Sequence, residues 1–142
     1  MAHWLLKTEP STYGYDDLER DGRARWDGVT NALALKHLRS IAKGDLAFIY
    51  HTGDEKAVVA IARVVSDPYA DPKAKDPKLV VVDLEPQERL PSPVTLAAIK
   101  ADPAFAGWAL VRIGRLSVLP VPAALWRRIL AMARPSAGGA AR

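Results

Sequence analysis

The chain contains no cysteine. That removes disulfides, thiolate nucleophiles and cysteine-ligated zinc together, and it suits a reducing cytoplasm. No apolar run approaches the roughly 18 residues of a membrane span, and the start, Met1-Ala2-His3-Trp4-Leu5-Leu6-Lys7, is too short in its apolar part for a signal peptide. Neither usual glycine-rich phosphate loop occurs, so nucleotide-triphosphate hydrolysis has no visible machinery. The three histidines, His3, His37 and His51, lack metal-ligand spacing, and there is no Gly-x-Ser-x-Gly elbow. Glu9 and His51 alone do not make an acid–base mechanism. A non-enzymatic protein with no cofactor and no metal is the expectation. Acid is also missing from one end: after Asp102 there is none, whereas Arg112, Arg115, Arg127, Arg128, Arg134 and Arg142 follow. The net charge of +4 is therefore segregated, as a phosphate-facing surface requires, although a solvated helix face with a loose basic tail gives the same count.

What is present fits one ordinary globular domain: 142 residues, 49% hydrophobic and 25% charged. His3 to Lys7 reads as a first strand stopped by Glu9-Pro10, and Tyr15 to Arg20 as a short helix. Leu35, Leu38, Ile41 and Ala42 recur at helical spacing within Ala32 to Ala42, closed by Gly44. Asp45 to Thr52 and Ala57 to Val65 read as strands of a hairpin turning at Gly53-Asp54. Continuous apolarity in the second suggests cover on both faces, as in a small barrel. Asp67 to Lys78, with three Asp-Pro pairs, reads as a surface loop, and Leu79 to Leu84 as a strand. Pro91 to Pro93 reads as a break, followed by a helix from Thr95 to Ala101 with Thr95 as its cap. Leu110 to Arg112 and Arg115 to Leu119 read as extended. A last helix from about Pro122 to Ala133 carries Trp126, Ile129, Leu130 and Ala133 on its apolar stripe. Together these predict an α+β fold over residues 1–134, a small mixed or antiparallel barrel flanked by short helices, with a disordered basic tail over 135–142.

The stretch Trp26-Asp27-Gly28-Val29-Thr30-Asn31 carries most of the functional content. An indole stacks on planar heterocycles, and a carboxamide offers donors and an acceptor to a base edge. The alternative is a core tryptophan and an asparagine that N-caps the following helix.

Several stretches in order resemble the EVE domain family, whose members have a PUA-like fold: Trp4-Leu5-Leu6-Lys7-Thr8-Glu9-Pro10, then Trp26-Asp27-Gly28-Val29-x-Asn31, then Gly44-Asp45-Leu46 with Phe48-x-Tyr50-His51, and finally Leu110-Val111-Arg112 with Arg115-Leu116-Ser117-Val118. The likeness covers residues 3 to 133. The family is similar to the YTH readers of methylated adenosine, and the resemblance implies a pocket for a modified nucleobase, such as methylated or hydroxymethylated cytosine, in DNA or RNA. It implies Trp26 as a stacking wall and Val29 and Asn31 near the base. Lys7, Thr8 and Glu9 would close the other side, with His51, Thr52, Leu116 and Ser117 around the rim and Arg112 and Arg115 on the phosphate backbone. The chain departs from the family where many members read Val-Arg-Asn-Tyr: it has Val29-Thr30-Asn31-Ala32. That loses one cation and one aromatic wall: either the ligand differs, or Trp4, Tyr13 or Tyr50 supplies the missing wall. Nucleic acid carrying a modified base is the partner so implied, with a further protein partner left open and no membrane. A sensor of, or enzyme acting on, a free nucleoside or similar heterocycle shares the same pocket and is the alternative.

Overall fold

The structure, a computed structural model, describes residues 2–134; the expected disordered tail lies outside the described residues. Seven strands form one mixed sheet: β1 (His3–Thr8), β2 (Ala24–Trp26), β3 (Leu46–His51), β4 (Ala57–Val64), β5 (Tyr69–Ala70), β6 (Val80–Thr95) and β7 (Val118–Pro120). Their order is β2-β6-β4-β3-β1-β7, with β5 also on β6. β1 runs parallel to β3, and the remaining pairs are antiparallel. The six helices are α1 (Pro10–Tyr13), α2 (Tyr15–Asp21), α3 (Ala32–Ser40), α4 (Leu96–Ala101), α5 (Ala109–Arg112) and α6 (Ala123–Ala133), with a 3-10 turn at Pro103–Phe105. The α+β, PUA-like arrangement expected from the sequence is what forms: a mixed sheet curled into a half-barrel, with α3 packed against both β6 and β7.

β4 is buried at every position except Arg63, as its unbroken apolarity requires of a strand covered on both faces. The predicted hairpin joins it to β3, with Gly53 at φ +76°, a left-handed turn that favours glycine. α6 delivers Trp126 onto Phe48, ring centroids 3.8 Å apart and nearly parallel. Trp4, Trp108 and Trp126 all lie in the core, and the two indole nitrogens of Trp4 and Trp108 donate to Asp45 and to the Pro120 carbonyl.

Four expectations are corrected. The prolines at 91 and 93 do not end a strand, because β6 runs through them. Val58 pairs with Val94 and Ala60 with Arg89, so residues 90–93 bulge opposite the single residue Val59, where no ladder donor is needed. Leu110 to Arg112 is a helical turn, its amides at Val111 and Arg112 bonding back to the Trp108 carbonyl. Residues 115–117 precede rather than form a strand, since β7 begins at Val118. The loop at 67–78 contains β5, tied down where the Tyr69 hydroxyl donates to Asp83 at 2.6 Å. β2 and α1 were not anticipated at all.

Candidate functional site

β2 places Trp26. Its residues alternate, with Ala24 and Trp26 turned inward and Arg25 outward, and Trp26 registers against Val82 of β6. The indole is 8% exposed, and it lines a cleft of about 610 Å³ together with Thr8, Thr12, Tyr13, Asp21, Arg25 and Asp27. The Tyr13 ring stands edge-on to the indole at 6.3 Å and 81°, so of the three aromatic candidates Tyr13 supplies the second wall. Trp4 is in the core, and Tyr50 lines a different cleft.

The polar groups around this cleft are held in defined states. The Tyr13 hydroxyl donates to Asp21 Oδ2 at 2.8 Å. Burial, with that carboxylate beside it, pushes the phenol up to about 12, so it remains a neutral donor. Asp21 in turn is held below the usual carboxylate range by hydrogen bonds from Arg20 and Tyr13. On the outer face Arg25 donates to the Tyr69 hydroxyl, and Arg23 pairs with Asp83 at 3.1 Å. An indole and a phenol at right angles, edged by hydroxyls and carboxylates, match a flat heterocycle bearing amino groups, since a carboxylate accepts from an exocyclic amine such as that of cytosine.

The other sequence-derived candidates are distributed unevenly. Thr8 joins Trp26 in the large cleft, while Lys7 and Thr52 line a smaller one on the other side of the β1 end. Val29, at 8% exposure, and Leu116, at 2%, are core residues that line neither cleft. Ser117 is half-buried, and its carbonyl accepts the Lys7 amide. Glu9 caps α1, accepting from the amide and hydroxyl of Ser11 and from the Thr52 hydroxyl. Those Ser11 bonds hold its carboxyl below the usual range. His51 is buried, its Nε2 accepting the Tyr15 amide at 3.1 Å and its Nδ1 lying 2.7 Å from Glu55. That pairing places the ring proton on Nδ1 and makes the imidazole a brace for the α1–α2 corner beside Tyr13. Arg112 and Arg115 are exposed and line neither cleft.

Asn31 is the helix cap that the sequence allowed: its Oδ1 accepts the Ala34 amide at 3.0 Å, and the residue is exposed. Asn31→Ala is expected to cost about 1 kcal/mol of folding stability, with Asn31→Ser recovering most of it. Urea denaturation checks this, and it separates the cap from any effect of Asn31 on ligand binding.

Thr12, Tyr13, Asp21, Arg23, Arg25 and Asp27 complete the large cleft without having been assigned to it from sequence, apart from Tyr13 as a possible wall. The alternation Arg23-Ala24-Arg25-Trp26 was the available sign of a strand presenting an inward indole.

A half-barrel of this strand order, with an aromatic-walled cleft beside its short strand β2, defines a PUA-like domain. The chain belongs to the EVE domain family, whose profile matches residues 2–132. In structure it is similar to a protein from Rhodopseudomonas palustris, at 40% identity and a TM-score of 0.88 over 94% of this chain and 93% of that one. It is also similar to human THYN1 protein, solved in complex with 5-methylcytosine containing DNA, at 24% identity and a TM-score of 0.87 over 96% of this chain and 99% of that one. In sequence it is 27% identical to human thymocyte nuclear protein 1 over 126 residues, 70% of this chain and 56% of that protein. The chain spans about half the length of the curated relatives it matches.

Proposed function

We propose that this protein binds a modified nucleobase in DNA, without catalysis, in the cleft walled by Trp26 and Tyr13. The observation that carries the proposal is the indole of Trp26, core-packed on one side and bordering a cleft of about 610 Å³ with the Tyr13 ring set across it. That volume falls within the roughly 300–1,000 Å³ of small-ligand sites and accommodates one base that has left its stack. The complex of a related EVE-fold protein with 5-methylcytosine containing DNA supports a methylated cytosine as the ligand. Asp21 and Asp27 at the cleft suit the exocyclic amine of such a base.

The free nucleoside is the second reading: Asp21 and Asp27 at the cleft are matched by Arg23 and Arg25, so the lining carries no net positive charge to draw a phosphate. Titration of oligonucleotides with and without 5-methylcytosine, and of the free nucleoside, at two salt concentrations decides between them. Binding of the oligonucleotide is expected to prefer the modified base and to fall with salt in proportion to the phosphates neutralised. Equal affinity for nucleoside and oligonucleotide, independent of salt, would instead establish the free ligand.

A further inference from the structure

The smaller cleft is separate in chemistry from the aromatic one. Its volume is about 230 Å³, below the roughly 300 Å³ lower bound of ordinary small-molecule sites. Three lysines from three elements line it: Lys7 from β1, Lys56 from the β3–β4 turn and Lys100 from α4. No carboxylate lines it, and Thr52, Gly53 and Gly114 border it with Tyr50 and apolar side chains.

Two details distinguish its lining: the backbone at Lys56 and the setting of the Lys7 ammonium. Lys56 is the one non-glycine residue with positive φ among the described residues, at +45°, and its carbonyl is pinned by the Leu96 amide at the start of α4. Left-handed backbone at a β-unbranched side chain is strained, and such strain persists where surrounding structure imposes it. The Lys7 ammonium is half-buried, donating to the Gly114 carbonyl at 3.0 Å and lying 5.7 Å from the Tyr50 ring centroid. Burial pulls its pKa below the ordinary lysine value, the response of a cation short of counter-charge. The Glu9 carboxylate borders the site at Gly53, where an added Cβ would fall 2.6 Å from its Oε2, and its oxygens accept from Ser11 and Thr52.

We propose that this cleft is a binding site for a phosphate-class oxyanion, held by the ammonium groups of Lys7, Lys56 and Lys100. An ammonium is a compact point charge that suits a tetrahedral anion without demanding the bidentate geometry of arginine. The anion is either free phosphate or a phosphodiester of a bound strand. The second source rests on the function proposed above, because Thr8 of the aromatic cleft and Lys7 of this one are neighbours on β1.

The test is an amide chemical-shift titration of the whole chain with inorganic phosphate, against chloride at matched ionic strength. Phosphate is expected to move Gly53, Lys56 and Gly114 selectively. The double variant Lys56→Asn/Lys100→Gln, in which asparagine tolerates the left-handed backbone, is expected to lose those shifts and to keep its melting temperature. Shifts no larger than with chloride, or shifts that survive in the folded double variant, would overturn the site. With an oligonucleotide, a salt slope shallower by about one unit in the variant, at an unchanged ratio of modified to unmodified affinity, assigns the anion to the strand. An unchanged slope, with the phosphate shifts still lost, assigns it to free phosphate. Failure of the parent to distinguish modified from unmodified DNA would strike at the aromatic cleft and leave the lysine site standing.

Discussion

Trp26→Leu is expected to weaken binding to an oligonucleotide bearing the modified base by roughly 1–3 kcal/mol, the worth of one base stacked on an aromatic side chain. That is about 5- to 150-fold in Kd. Leucine is the informative substitution because of where the indole sits. At 8% exposure, paired through β2 to β6 and packed in the core cluster, Trp26 is also structural. Trp26→Ala would therefore lower folding stability by about 3–5 kcal/mol as well as removing the wall, and a lost affinity would then have two causes. Leucine keeps much of the apolar bulk and discards the flat face; Trp26→Phe keeps a smaller flat face. Affinity is expected to fall in the order parent, phenylalanine, leucine, with each variant verified as folded by urea titration. A folded leucine variant that binds as tightly as the parent would remove the aromatic cleft as the base site.

The second large effect belongs to Asp45, at 5% exposure one of the two buried polar or charged residues, with His51, among the described residues. Its carboxylate accepts from the Trp4 indole at 2.9 Å, from the Ala42 amide at 2.9 Å and from the Ala2 amide at 3.0 Å. It thus ties the start of β1 to the turn before β3. Asp45→Ala strands a buried indole N–H and two amides, at an expected cost of about 3 kcal/mol or more. Burial alone would raise this carboxyl, but the hydrogen bonds from Ala42, Trp4 and Ala2 prevail and hold it below the usual aspartate range. Its contribution is therefore complete above the unfolded-state value near 4 and fades as pH falls through the lower folded-state value. Below about pH 4, urea titrations should show the parent losing stability more steeply than Asp45→Asn. Parallel profiles for the two would mean that the charge contributes nothing.

Much of this architecture could be read without coordinates where a local rule and the tertiary fold agree. Asn31 and Thr95 cap helices because a short polar side chain before an apolar-periodic run has an amide to accept. Gly53 turns the hairpin because only glycine enters the left-handed region freely. The misreadings fall where a distant pairing overrides the local sign. Pro91 and Pro93 usually end strands, yet here a bulge opposite Val59 excuses them from donating. Ala24 to Trp26 is too short to announce itself, and it becomes a strand only by registering against residues 82–84 of β6. The same reason hid most of the large cleft. Its walls come from the α1–α2 corner and from β2, which meet because β6 brings β2 alongside, so the family resemblance pointed to Trp26 and Thr8 but nothing pointed to Asp21, Arg25 or Thr12. Leu116 and Val29 belong to recognisable motifs and yet turn into the core, since a motif records both packing and contact residues without separating them.

The position of β1 between β3 and β7 bears on how the chain acquires its shape during translation. The strand is hydrogen-bonded on one side as soon as β3 exists, but its other edge waits for Val118 to Pro120. From the end of β3 at His51 to the start of β7 at Val118 is 67 positions (118 − 51), an interval of roughly 3–13 s on a ribosome adding about 5–20 residues per second. Throughout that time Trp4, Leu5 and Leu6 border an unpaired edge, the kind of template on which neighbouring nascent chains join. Closure of this domain is thus a late, C-terminally timed event, and the rate of elongation through residues 50 to 118 sets how long the hazard lasts.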